Sequence, residues 1–406
     1  MSRIFRLTLV LVICLASWPT PAAQSAPASY CQPDAVQASG AIYRICVPPL
    51  WNGDLVVYAH GYVDPQAEIG IPEDQLRLPD GTYLPDLVNE LTFAFATTSY
   101  HKNGLAIQEG LADVVDLVSI FKAKYPQTRY VYLVGASEGG LVTTLGIEKH
   151  ADVFDGGLAT CGPIGNFRSQ VNYLGDFRVL FDYFFPGVLP FSPVNIPSQV
   201  IADWEAVYVP AVQQVILSDP EAAKQLLLVA RAPFDPADPA TVMETVLGLL
   251  WYNIFATNDT ITTLGGQPFD NATRIYFGSQ DDVALNLGVQ RFSAAQAAVD
   301  EIEAHYQTSG KLTAPLVTLH TIGDPIVPYW HIPRYRVKVL VSGAALQYNN
   351  LPIPRYGHCV FTEDEILFSF ALLVLKVSAL QLPVDASLAS LVEGGGAAVF
   401  LPGVLR

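Results

Sequence analysis

The chain has 406 residues, of which 51% are hydrophobic and only 15% charged, against a usual charged share of about 25%. That apolar mass excludes a disordered chain, and a length well beyond the ~150 residues of a common domain leaves room for one large α/β domain with insertions. The formal net charge of −16 would be repelled by phosphate backbones, which argues against a nucleic-acid partner.

In chain order, Arg3 and Arg6 precede an apolar run over residues 7–18, followed by small and turn-forming residues over 19–28. This is the three-part pattern of a secretory signal peptide. The run is too short to span a bilayer, which needs roughly 20 apolar residues. Residues 366–375 are strongly apolar but stop at Lys376. The expectation is an exported, soluble protein with a leader over 1–28 and no stable membrane span after cleavage. Of the 5 cysteines, Cys14 lies in the leader, and Cys31, Cys46, Cys161 and Cys359 remain. Four cysteines in an exported chain suggest two disulfides, with three pairings open. Cys31 and Cys46 flank a stretch containing a Ser39-Gly40 turn and are the first expected pair, which leaves Cys161 with Cys359.

Residues 41–47 alternate weakly, and residues 54–59 (DLVVYA) form a short apolar run ending at His60-Gly61, the pattern of a buried strand. Residues 91–98 predict a further strand. Residues 108–124 carry Leu111, Val114, Val115, Val118 and Phe121 at helical spacing, stopped by Pro126. Residues 130–134 (YVYLV) are the most β-like run in the chain and end at Gly135. A helix over 141–150 and a strand over 154–160 follow. Strands alternating with helices predict a mostly parallel central sheet with helices on both faces.

The middle breaks that rhythm. Residues 166–266 are helical in composition, cut by prolines, and dense in aromatics: Tyr173, Phe177, Phe181, Tyr183, Phe184, Phe185, Phe191, Trp204, Tyr208, Trp251, Tyr252 and Phe255. We read this stretch as an inserted α-helical cap, with the core in residues 29–165 and 267–406. Alternation returns with expected strands over 274–277 and 316–320, a helix over 293–305, and a last helix opened by Thr362 and Glu365 in capping-box spacing.

Gly135-Ala136-Ser137-Glu138-Gly139 fits G-x-S-x-G. The pattern alone is weak, but here it directly follows the strongest strand and precedes a helix. In that setting the serine sits on a strained turn that lifts its oxygen above the sheet. Elsewhere stand His60-Gly61-Tyr62 after an early strand, Gly323-Asp324-Pro325 after a late one, and Tyr356-Gly357-His358-Cys359 before the last helix. On these residues the chain resembles the α/β-hydrolase superfamily over about residues 41–380, in the order Ser137, Asp324, His358 expected for that fold.

The resemblance implies an α/β-hydrolase fold with Ser137 as nucleophile, His358 as general base and then acid, and Asp324 holding the His358 tautomer. It also implies an oxyanion hole from the backbone N–H groups of Tyr62 and Glu138. Other readings stay open. His320 could compete as base, and Asp281 or Asp282 could supply the acid. His60 reads as a turn-stabilising residue, and His101, His150, His305 and His331 as surface or core residues. Glu138 either complements the helix N-terminus or reaches the substrate to bind an amine.

Cys161 and Cys359 would both lie at strand carboxyl ends, where a bridge would tie the loop after the nucleophile helix to the histidine; two separate buried thiols are the alternative. Feruloyl esterases and tannases also carry a cysteine bonded beside the histidine, but their partner cysteine precedes the serine, where this chain has Ala136. No HExxH pair, C-x-x-C pair, phosphate loop or dinucleotide fingerprint occurs, so neither a metal nor a cofactor is expected.

For function, the first expectation is hydrolysis of a small or polymeric ester with an apolar or aromatic group, for which some cap aromatics would line the cleft. An exported serine aminopeptidase is the second, with Glu138, Asp182 and Glu205 as receivers of an amino terminus. A non-catalytic binding protein on a hydrolase scaffold is the third. The oligomeric state is not legible.

Overall fold

A computed structural model of the protein describes residues 30–380; the expected leader over 1–28, with Cys14, lies outside them. The elements are β1 (Ala35–Val36), β2 (Ile42–Cys46), β3 (Leu55–Ala59), α1 (Leu84–Glu90), β4 (Ala94–Thr98), α2 (Ile107–Lys124), β5 (Val131–Ala136), α3 (Glu138–Lys149) and β6 (Gly156–Thr160). Seven α-helices follow before the next strand: α4 (Phe167–Phe184), α5 (Ser198–Asp203), α6 (Val209–Ser218), α7 (Pro220–Ala230), α8 (Ala240–Thr263), α9 (Asp282–Gly288) and α10 (Gln296–Glu301). The chain then forms β7 (Leu316–Gly323), α11 (His331–Val341), β8 (Tyr348–Tyr356) and α12 (Glu363–Leu380).

The strands form one sheet in the order β1-β2-β4-β3-β5-β6-β7-β8. β1 and β2 pair antiparallel, as do β2 and β4, and every pairing from β4 across to β8 is parallel. Period-two alternation splits each central strand between the two faces. Val131 and Leu133 of β5 join the apolar layer that packs under α2 and α3, whereas Tyr132 packs with Phe370, Leu373 and Val377 of α12. Both faces are covered by helices, as the alternation of elements requires.

The last helix starts where its capping residues place it. Thr362 N–H donates to Glu365 Oε2 at 2.9 Å, and Glu365 N–H donates back to Thr362 Oγ1 at 3.3 Å, the reciprocal bonds of a capping box.

One expected strand does not form, and one strand was not foreseen. Residues 274–277 are not a strand: Tyr276 is buried in the apolar cluster of the helical segment, while Ile275 and Phe277 face solvent. The alternation seen there has a buried partner on one side only, and no neighbouring strand to pair with. Conversely, β8 had no sequence signal because it contains Asn349, Asn350, Pro352 and Pro354. It lies at the sheet edge, where one face of the ladder is free and proline is tolerated.

The helices α4 to α8 build an apolar cluster of their own, which runs on through Phe269, Tyr276, Leu285 and Val289. Phe177, Phe181 and Trp204 lie deep in it. Arg178 is also enclosed there, fully buried. Its guanidinium donates to Asp182 (2.9 Å), Asn253 (2.8 Å) and the carbonyls of Leu189 and Phe191 (3.2 and 2.9 Å), so the buried charge is paired and bonded.

Candidate active site

β5 runs straight into α3 through Ser137, whose backbone has φ 56° and ψ −120°. A non-glycine residue held at positive φ costs of order 1–3 kcal/mol and persists only where the surroundings over-determine it. Here they do. A Cβ on Gly139 would lie 2.0 Å from the Ala59 carbonyl oxygen, and one on Gly135 would lie 2.2 Å from that of Gly139. Only glycine lets the turn close against the end of β3, and the serine is forced outward as a result.

His358 follows β8, with the Thr321 hydroxyl donating to the Gly357 carbonyl just before it. Its Nε2 is 2.9 Å from Ser137 Oγ, and its Nδ1 is 2.7 Å from Asp324 Oδ2. Asp324, in the loop after β7, is fully buried. Its Oδ1 accepts from the N–H groups of Ile326 and Val327, both at 2.9 Å. That loop is in turn held by α4, where Tyr173 donates to the Pro325 carbonyl (2.7 Å) and Gln170 to that of Ile326 (2.8 Å). Three side chains separated by 221 residues in sequence thus form one hydrogen-bonded chain.

The rival residues lie elsewhere. His320 is buried, with its Nε2 2.7 Å from the Val327 carbonyl and 3.6 Å from Asp324 Oδ2; burial lowers its pKa, and it makes no hydrogen bond to Ser137. Asp281 caps α9 by accepting from Ala284 N–H (2.9 Å), and Asp282 accepts from Ser279 and Gly278. Both are spent on a turn of the helical segment, because the strand expected before them does not form. His60 is buried, stacked on Tyr100 at 3.8 Å, with Nδ1 2.7 Å from the Gly61 carbonyl, in keeping with a turn-stabilising role. His331 is also a buried, hydrogen-bonded residue, between Gly165 and Gln170.

The turn after β3 approaches the serine closely: a Cβ on Gly61 would be 3.1 Å from Ser137 Cβ. Gln75 grips this turn from behind. Gly61 N–H donates to its Oε1 (2.6 Å), and its Nε2 donates to the Tyr62 carbonyl (3.1 Å). Sequence reasoning missed Gln75, which sits in a short helical turn over Glu73–Leu76 with no motif to mark it. The backbone N–H groups of Tyr62 and Glu138 donate to no acceptor among the described residues.

Glu138 is buried, and its Oε1 accepts from Ala106 N–H at 2.7 Å. Burial, which outweighs that hydrogen bond and the positive Lys102, pushes its pKa up to about 8 from 4.5. The folded carboxyl therefore keeps its proton where the unfolded chain releases it. Its contribution to stability is full below about pH 4.5 and is lost as pH rises toward 8. Glu138→Gln retains an acceptor for Ala106 and cannot titrate. Between pH 5 and 8 the wild type should fall behind this variant in melting temperature by on the order of a few degrees. Parallel pH curves for the two proteins would show that Glu138 is ionised in the fold.

Two disulfides form, Cys31–Cys46 and Cys161–Cys359, the first expected pairing and its complement. Cys161 and Cys359 stand at φ 45° and 56°, and the Cys359 sulfur is 3.5 Å from His358 Nε2. The bridge joins the loop after β6 to the histidine loop. With its sulfurs bonded to each other, the cluster of Cys161, Cys359 and His358 has no thiolate to offer a metal ion.

Two cavities meet at Ser137. One, of about 270 Å³, includes Gly61, Arg77, Leu78, His358, Cys359 and Phe361 in its wall. The other, of about 90 Å³, is walled by Leu105, Ile107, Phe167, Val171, Leu174 and Ile326, with Glu138. Tyr62, Ser137 and Tyr252 line both. Of the twelve aromatic residues noted between β6 and β7, Tyr252 alone lines either cavity; the other eleven belong to the apolar cluster of that helical segment.

No protein-family model matches the chain, and no curated protein sequence matches it. Among solved structures, feruloyl esterase B from Aspergillus oryzae is similar over 86% of this chain and 80% of its own, with 16% identity and a TM-score of 0.47. Lipase A from Candida antarctica, in its closed state, is similar over 86% of this chain and 77% of its own, with 15% identity and a TM-score of 0.45. An acylaminoacyl peptidase from Pyrococcus horikoshii matches 78% of this chain at 11% identity and a TM-score of 0.40, and the match spans only 35% of the peptidase. None of these likenesses reaches a TM-score of 0.5, so the fold is read from the chain's own strand order and crossovers.

Proposed function

We propose that this chain, whose fold is that of the α/β-hydrolases, is a serine hydrolase that cleaves carboxylic esters through an acyl-enzyme, with the helices between β6 and β7 acting as a cap over Ser137. The observation that carries this reading is the continuous hydrogen-bonded chain from Ser137 Oγ through His358 to Asp324, open to a cavity on either side. Ser137 Oγ attacks the ester carbonyl carbon as His358 Nε2 takes its proton. Asp324 keeps the His358 Nδ1–H in place and stabilises the imidazolium. The N–H groups of Tyr62 and Glu138 receive the oxyanion, and His358 then hands its proton to the leaving alkoxide. Water repeats the sequence to release the acid.

Ester cleavage is favoured over the aminopeptidase reading because two of the acids that would receive an amino terminus are engaged and the third lines neither cavity at Ser137. Glu138 accepts from Ala106, Asp182 is paired with Arg178, and Glu205 lies exposed on the surface. No cofactor enters the scheme, and the strong negative charge disfavours a nucleic-acid substrate. Two disulfides support an exported protein working in an oxidising compartment. Among the described residues no helix is long and apolar enough to cross a membrane.

A fluorophosphonate probe tests the reading. One equivalent should attach to wild type, at Ser137, and none to Ser137→Ala. An unlabelled, folded wild type would leave the binding-protein reading in its place.

A further inference from the structure

The proposed ester hydrolysis asks the Tyr62 N–H to meet the oxyanion, and a backbone N–H points only where its rigid peptide plane points. That plane lies within residues 60–63, which belong to no strand or helix, so no ladder of backbone bonds holds it. Gly61 adds to its freedom. A Cβ there would lie 3.1 Å from Ser137 Cβ and 3.2 Å from the Ala136 carbonyl oxygen, and the glycine that fits this gap also lets the adjoining peptides rotate.

Side chains supply the restraint instead. Tyr100 donates to the His60 carbonyl (3.1 Å), and His60 Nδ1 lies 2.7 Å from the Gly61 carbonyl. Gln75 takes the groups on either side of the Tyr62 N–H: the Gly61 N–H before it (2.6 Å) and the Tyr62 carbonyl after it (3.1 Å). An N–H can only donate and a carbonyl only accept, so a single orientation of the carboxamide serves both. Gln75 also stands on a firm base. Leu76 is fully buried in an apolar cluster with Cys46, Tyr58 and Phe95, and Glu73 pairs with Arg44 of β2 at 2.7 Å.

We infer that, within the ester hydrolysis proposed above, Gln75 is a positioning residue: it fixes the two outer peptides of the turn and thereby aims the Tyr62 N–H between them at the oxyanion. Its effect is confined to the step in which charge develops. A misdirected N–H leaves the neutral ester bound about as before, but the tetrahedral oxyanion then lacks one of its two donors.

The test uses the full-length protein and 4-nitrophenyl butanoate. Gln75→Leu, which keeps much of the bulk and removes both bonds, should lower kcat by about 10–100-fold with KM within about threefold of wild type. Butylboronic acid reads the tetrahedral state directly. Ser137 Oγ adds to its boron as His358 takes the proton, which gives a tetrahedral boronate anion, and its inhibition should weaken by about the same factor as kcat. Gln75→Glu keeps an acceptor for Gly61 at neutral pH but has no donor for the Tyr62 carbonyl. It should show the same pattern, and it decides the matter should Gln75→Leu fail to fold. A folded variant with kcat within about twofold of wild type, or one whose KM rises as far as its boronate affinity falls, overturns the inference while leaving ester hydrolysis standing. A wild type that turns over no ester and takes no fluorophosphonate overturns both.

Discussion

Ser137→Ala should lower kcat/KM toward an activated ester by about 10⁵–10⁶-fold, the scale of removing a nucleophile whose base and oxyanion donors act only through it. The loss comes from chemistry and not from folding. Alanine at φ 56° carries the same backbone cost as serine, and Gly135 and Gly139, which let the turn close, are untouched. The variant should keep its melting temperature within a few degrees. Residual activity within about tenfold of wild type would mean that another residue attacks the ester.

Asp324→Asn should cost about 10⁴-fold in kcat, through the wrong histidine tautomer. The neighbouring backbone fixes how asparagine must sit. The N–H groups of Ile326 and Val327 both point at Oδ1, so the amide oxygen takes that place and the NH₂ turns to His358. An NH₂ can only donate, which leaves Nδ1 as acceptor and puts the ring proton on Nε2, facing Ser137 Oγ. The base is then occupied. Asp281→Asn and Asp282→Asn, whose carboxylates serve the start of α9, should leave kcat within about twofold of wild type. The measurement is the steady-state rate on a nitrophenyl ester. A larger loss at Asp281 or Asp282 than at Asp324 would reverse the assignment of the acid.

Much of the sheet was legible in sequence because its central strands are buried on both faces and read as continuous apolar runs; β3 and β5 are examples. The elbow was legible because its steric demand is local: two glycines and a serine between a strand and a helix. Residues whose surroundings come from distant chain were not legible. The two prolines of β8 are compatible with a strand only because the strand lies at an edge, and edge position is a property of the assembled sheet. Residues 274–277 show the converse, a plausible alternation with no strand beside it. Gln75 carries no motif, and its value comes from meeting the Gly61–Tyr62 turn. The aromatic density of the helices between β6 and β7 proved mostly a matter of their own packing, and of the twelve residues noted there only Tyr252 lines a cavity with Ser137, beside Phe167 of α4.

The bridge between Cys161 and Cys359 spans a sequence separation of 198, and every helix from α4 to α10 falls within that interval. The His358 loop is therefore stapled directly to the end of β6, the strand beside the one that leads to Ser137, however the intervening chain is built. A protease cut anywhere in those helices leaves two fragments that stay covalently joined beside His358. Changes in the helices beyond α4, whose Gln170 and Tyr173 hold the Asp324 loop, can accumulate without loosening that junction. The fold thus holds a region open to diversification, where new binding preferences can be tried over an unchanged centre.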